Sequence, residues 1–177
     1  MPSPALELEL ERLAAWAWAR HHNILSWYVR PVLLAPYCLA AHGRSPLGMA
    51  LSLLAMATSM AWFPAPEPGA VPPAVLAALA AEKEYLLGEW GPRKWLLAAL
   101  VPVGFGCLGV ACWRRSWRWG LGVLHVMGAI KVAWTCVYFR ADAVAAHMRA
   151  VVLGFAACDA ALAVWWLGGS VRKTKKN

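Results

Sequence analysis

The chain has 177 residues, 61% of them hydrophobic and 15% charged, with a formal net charge of +8. Soluble domains carry roughly 25% charged and 45–50% apolar residues, and here the apolar residues come in blocks close to the ~18 residues of a membrane-crossing helix. A separate soluble domain is excluded for want of chain outside the blocks. The expected fold class is therefore an all-α membrane protein: one domain over 1–177, with five transmembrane helices in a bundle and two amphipathic surface helices, about 5–20 and 74–90.

Residues 5–20, ALELELERLAAWAWAR, are good helix formers with Leu6, Leu10 and Leu13 on one face, which predicts a helix lying on the membrane. The acidic residues Glu7, Glu9 and Glu11 do not resemble the basic start of a cleavable signal peptide. Span 1, 24–42, contains Arg30, Pro31 and Pro36. Pro31 leaves the carbonyl of Trp27 free and Pro36 that of Val32, so a kink is expected where Arg30 enters. Span 2, 46–63, starts on Ser45-Pro46, a cap followed by proline at the first helical position. PAPEPGAVPP, with five prolines in ten residues, reads as an extended loop.

The second surface helix, 74–90, has an apolar stripe of Val75, Leu79, Leu86 and Trp90, with Glu82, Lys83, Glu84 and Glu89 assigned mostly to other faces. Span 3, 94–113, carries GFGCLG at 104–109. Within a membrane helix this pattern is a close-packing face, not a dinucleotide loop. Spans 4 and 5 are 119–139 and 149–168, and VRKTKKN gives 169–177 as a basic cytoplasmic tail. Most of the twelve Trp flank these blocks, as an interfacial aromatic belt would. The five Cys lie inside apolar blocks without metal-site spacing and read as small hydrophobes. His21, His22, Asp142 and His147 share the outer side but match no known metal-site spacing, so no metal is expected.

Placing the tail inside puts Arg44, Arg114, Arg115, Arg118, Arg172, Lys173, Lys175 and Lys176 on the cytoplasmic side. The expected placement is a bacterial inner membrane, multi-pass, N-terminus outside and C-terminus inside. These clusters would attract anionic lipid, so the positive charge needs no nucleic-acid partner.

Ionisable residues inside spans cost roughly 2.5–3.5 kcal/mol on insertion scales and mark functional sites by default. Arg30, Lys131 and Asp159 are such residues. Counted from the outer ends of spans 4 and 5, Lys131 and Asp159 are each about 12–15 Å deep, and Arg30 is about 9 Å deep. A Lys131–Asp159 pair is therefore expected, with Arg30 either joining it or snorkelling outward. The excess positive charge calls for an anion, supplied by a ligand or by Glu82, Glu84 or Glu89 if the surface helix closes over the bundle. A purely structural pair that fixes helix packing is the alternative. His125 is a further polar residue in span 4.

The candidate ligand-binding residues are thus Arg30, Lys131, Asp159, His125, Glu82 and Glu84, with no catalytic residue and no cofactor. The expected function is binding or transport of an anionic or amphiphilic small molecule or lipid through a polar pocket on the outer side. One rival is a non-catalytic subunit of a larger membrane complex or a homo-oligomer, meeting its partner through Gly154, Ala157, Cys158 and Ala161. The other is an intramembrane lipid-modifying enzyme using His125 or a Glu beside Lys131, although the common hydrolase and metalloprotease motifs are missing.

Overall fold

The computed structural model describes residues 3–67, 69–138 and 141–174, without the side chains of 141–143, 146, 147 and 167–174. Asp142, His147 and the charges of the basic tail fall outside the described side chains. Every regular element is helical: α1 (Pro4–His21), α2 (Leu25–Val32), α3 (Leu34–His42), α4 (Pro46–Thr58), a 3-10 turn (Ser59–Ala61), α5 (Pro73–Leu87), α6 (Pro92–Trp113), α7 (Trp117–Tyr138) and α8 (Ala141–Thr174).

Among the described residues three helices are long and apolar enough to cross a membrane: Pro92–Trp113, Trp117–Tyr138 and the Met148–Trp166 part of α8. A fourth crossing arises if the α1 and α2–α3 pair, bent by 89°, counts as a broken span. The α4 segment with its 3-10 turn, Pro46–Ala61, is apolar but short.

The local chemistry sets most of these boundaries. Ser45 accepts a hydrogen bond from the Gly48 amide at 3.1 Å, with Pro46 opening α4. α2 stops at Val32, whose carbonyl Pro36 cannot serve, so the break falls at Leu33 and not at Arg30. Where α1 turns into α2, Arg20 donates to the Ala61 and Phe63 carbonyls at 3.4 and 3.2 Å, and Asn23 donates to that of Pro64 at 3.1 Å. A guanidinium on the orphan carbonyls at a helix end is favourable for the helix dipole as well.

α5 ends at Leu87 before Gly88. Its final carbonyls are gathered by Lys94 of α6, which donates to Tyr85 and, at 2.8 Å, to Gly88. The same ammonium sits 4.5 Å from the Trp90 ring centroid. α5 does not lie apart on the surface. It buries Val75, Ala78 and Leu79 together with Trp27 of α2 and Ala150 of α8. The stripe differs from the sequence expectation, because Leu86 and Trp90 are exposed and Glu82 continues the buried face. Positions 75, 78, 79 and 82 repeat at the i, i+3, i+4, i+7 spacing of one helical face.

The main core joins α3, α6, α7 and α8 through Leu34, Tyr37, Leu108, Leu124 and Leu162, with the thiols of Cys38, Cys112 and Cys158 buried among them. Tyr37 ties α3 to α6 by donating to the Phe105 carbonyl at 2.8 Å. Small residues allow close approach. A Cβ on Gly154 would lie 2.7 Å from Pro31, and one on Gly128 would lie 3.1 Å from Phe155. Gly154 and Cys158 are thus buried inside the bundle, whereas Ala157 and Ala161, expected on the same face, are exposed.

Gly154→Val should overpack the α2–α8 contact and cost about 1–3 kcal/mol. Gly106→Ala meets open space and should leave the melting temperature in mild detergent nearly unchanged. Equal melting temperatures for the two variants would contradict the α2–α8 packing.

Candidate functional site

One cleft brings together most of the intramembrane charge. It has a volume of about 620 Å³ and is lined by residues from each of α1 to α8. On α7 the lining residues are Trp119, Gly122, Val123, Val126, Met127, Ile130 and Lys131. Their spacing is that of one helical face, and twelve residues of rise make it about 18 Å long. Leu34, Phe105 and Phe155 continue the apolar wall. The polar lining groups are His21, Arg30, Glu82 and Lys131, gathered where α7 ends and α5 crosses α8.

Each of these side chains is held by local structure. Arg30, one residue before Pro31 in α2, donates through Nε to Ser59 Oγ at 3.3 Å. That hydroxyl is itself fully buried and donates to the Met56 carbonyl at 2.8 Å. Lys131 places its Nζ 4.3 Å from the Trp134 ring centroid, a cation–π contact that partly replaces lost hydration. His21, at the end of α1, donates through Nε2 to Glu82 Oε2 at 3.3 Å. Its ring is nearly sealed, with side-chain exposure of 4% against 26% for Glu82. His21 Nδ1 is buried without a hydrogen-bond partner.

Two effects compete at Glu82. Burial raises its carboxyl pKa. The hydrogen bond from His21 and the positive potential of His21, Lys131 and Arg30 outweigh that burial, so the group titrates below its ordinary value. Neither Lys131 nor Arg30 closes an ion pair with Glu82 among the described residues. Two cations and one carboxylate therefore share the head of the cleft without direct pairing.

Asp159 is elsewhere, and the expected Lys131–Asp159 pair is not formed. Asp159 Oδ2 lies 3.2 Å from His125 Nε2, and His125 Nδ1 donates to the Leu121 carbonyl at 2.8 Å. The reason is register. α7 ends at Tyr138 and α8 begins at Ala141, eight residues before the expected start of span 5. Gly128 meets Phe155 and His125 meets Asp159. Lys131 is six residues further along α7, which puts it about 9 Å from the Asp159 level. Neither His125 nor Asp159 lines the cleft. Glu84 is exposed and does not line it either.

His21 was missed as a site residue because it sits at a helix end among other outer-side polar residues. Its signal was its place beside the break between the surface helix and the first apolar block. His22 turns away and hydrogen-bonds the Trp18 carbonyl at 2.8 Å. Among the described residues no three His, Cys, Asp or Glu side chains are grouped to hold a metal ion. No family model matches the sequence, and comparison with curated proteins and with solved structures gives no match.

A double-mutant cycle on Lys131→Ala and Glu82→Gln should give a coupling of about 0.5–3 kcal/mol. The Lys131→Ala and Asp159→Asn cycle should be additive within about 0.5 kcal/mol. Thermal denaturation in one detergent reads both cycles, and the reverse ranking would overturn this assignment.

The lowered Glu82 pKa gives stability that is present above the ordinary carboxylate value and lost as pH falls through the folded value. Glu82→Gln should therefore flatten the acid side of the stability–pH curve. An acid limb unchanged by the substitution would show that Glu82 is not the group responsible.

Proposed function

We propose that this chain is a multi-pass membrane protein that binds, and carries, an amphiphile with one apolar chain and an anionic head. The observation that carries the reading is the composition of a single cleft. Its walls are apolar over about 18 Å, and its polar lining groups, Arg30, Lys131, Glu82 and His21, meet at one place. The cluster holds one more cation than carboxylate. An anionic head between Arg30 and Lys131 would complete the charge balance, since a buried charge is tolerated only when paired. Arg30 supplies a forked donor suited to a carboxylate or phosphate, and Lys131 supplies a point charge. The unpartnered Nδ1 of His21 offers a further polar contact. The tail would lie along Val126, Met127 and Phe155 toward Trp119.

Five crossings fit this reading, with α2–α3 as a broken span and α4 with its 3-10 turn as a short one. The sixteen residues Pro46–Ala61 reach about 24 Å, which a bilayer accommodates by local thinning. The proposed setting is a bacterial inner membrane with the cationic cluster near the outer leaflet. The basic turns at Arg44 and at Arg114, Arg115 and Arg118 would then face the cytoplasm. α5, which carries Glu82 across the head of the cleft, is the natural cover.

The test is native mass spectrometry of gently purified protein, followed by rebinding of a single-chain phospholipid and of a neutral monoacylglycerol. Retention of the anionic amphiphile over the neutral one is expected. The Arg30→Gln, Lys131→Gln double variant should lose that preference, and Val126→Trp should reduce binding of both. Equal retention of both amphiphiles by wild type and double variant would refute the cleft as an anion-selective site.

A further inference from the structure

The head of the cleft contains a carboxylate, and a site for anions does not need one. Glu82 is nonetheless held there. It continues the buried face of Val75, Ala78 and Leu79, which packs with Trp27 of α2 and Ala150 of α8. His21 Nε2 donates to its Oε2 at 3.3 Å from a nearly sealed ring. Against the opposing effect of burial, that bond and the surrounding positive charge hold the carboxyl below its ordinary value, so it is ionised at neutral pH.

The charge at the head can therefore be counted. Arg30 contributes one positive charge, and Lys131, 4.3 Å from the Trp134 ring centroid, contributes another. Glu82 contributes one negative charge. His21 contributes none at about pH 7.5, where imidazole is mostly neutral. A second ring proton would fall on Nδ1, which is buried with no hydrogen-bond partner. Among the described residues no other charged side chain lines the cleft. Lys83 and Glu84 of α5 and Arg149 of α8 are exposed, and His22 of α1 is bonded to the Trp18 carbonyl. Two positive charges less one negative leave a single positive charge.

We infer that the cleft selects a head bearing one negative charge, such as a phosphodiester, a sulfate ester or a carboxylate, and that Glu82 is the residue that rejects a dianionic phosphomonoester. The inference rests on the reading of the cleft as an anion site. A monoanion between Arg30 and Lys131 brings the head to neutrality. A dianion leaves one negative charge in excess, and an unpaired charge in an apolar enclosure is costly. Arg30 and Lys131 by themselves would suit the dianion better, since two cations match two negative charges. A fixed like charge separates ligands that the attractive groups alone would both accept. His21 and the α5 packing keep that charge in place.

Three amphiphiles with the same chain test the count. Hexadecyl phosphate, its methyl ester and its dimethyl ester carry two, one and no negative charges at about pH 7.5, above the second ionisation of a phosphomonoester. Competition for the purified full chain is read by native mass spectrometry. Wild type should retain the methyl ester over the phosphate by about tenfold or more, and over the neutral dimethyl ester. Glu82→Gln, whose amide oxygen can still accept from His21, leaves two cations and should prefer the unsubstituted phosphate. Adding Lys131→Gln leaves Arg30 alone and should restore the preference for the methyl ester. If a variant does not fold, the wild-type ranking tests the count by itself. Equal retention of all three by wild type overturns the anion-site reading and this inference with it. Wild type that prefers charged heads yet retains the phosphate as well as the methyl ester overturns the inference alone, as does an unchanged ranking in folded Glu82→Gln protein.

Discussion

Two cations in an apolar bundle call for negative charge nearby, and α5 brings a carboxylate to the cleft they line. Arg30 and Lys131 come from different helices and open into the same cleft. Glu82 is the carboxylate that lines it with them. Glu82 is there because α5 lies against α2 and α8 through Val75, Ala78 and Leu79. Lys94 then fastens the far end of α5 by gathering its last carbonyls. His21 fastens the carboxylate itself. α5 is thus packed onto the bundle by apolar residues and carries one carboxylate to the cleft.

The same arrangement explains why the cleft has chemical direction. The close contacts of Gly154 on Pro31 and of Gly128 on Phe155 bring α8 up to α2 and α7. The face of α7 from Trp119 to Ile130 is left lining an open, apolar volume. Charge is confined to its head, where Arg30 is oriented by Ser59 and Lys131 by Trp134. Polar lining groups at one end and apolar lining along the rest give the volume two unlike ends. The second polar contact, His125 with Asp159, belongs to the outer face of α7 and α8.

Much of the helical order was legible in the sequence because local rules set it. Ser45-Pro46 starts α4, and the proline run separates α4 from α5. Arg30 and Lys131 were identifiable as cations inside apolar blocks from position alone, and Glu82 was one of three carboxylates considered beside a ligand as their counter-charge. The partner was not legible in the same way. Lys131 and Asp159 were matched by depth from assumed span ends, yet α8 begins at Ala141 and shifts the register by two turns. Glu82 was assigned away from the apolar stripe because the stripe was extended to Leu86 and Trp90. Leu86, one residue before the helix end, is exposed, and Glu82 lies on the face of Val75, Ala78 and Leu79. The count of crossings stays at three to four by length and hydropathy, because prolines fragment the first apolar block and shorten the second.

The central claim is that the α5 carboxylate, and not the α8 carboxylate, stands beside the α7 ammonium. The most direct measurement is site-directed cross-linking in native membranes, with the two exposed thiols Cys107 and Cys136 replaced by serine. Glu82→Cys with Lys131→Cys should cross-link rapidly with a short bis-thiosulfonate, whereas Asp159→Cys with Lys131→Cys should not. Efficient cross-linking of the 131–159 pair, with none for 82–131, would contradict the account.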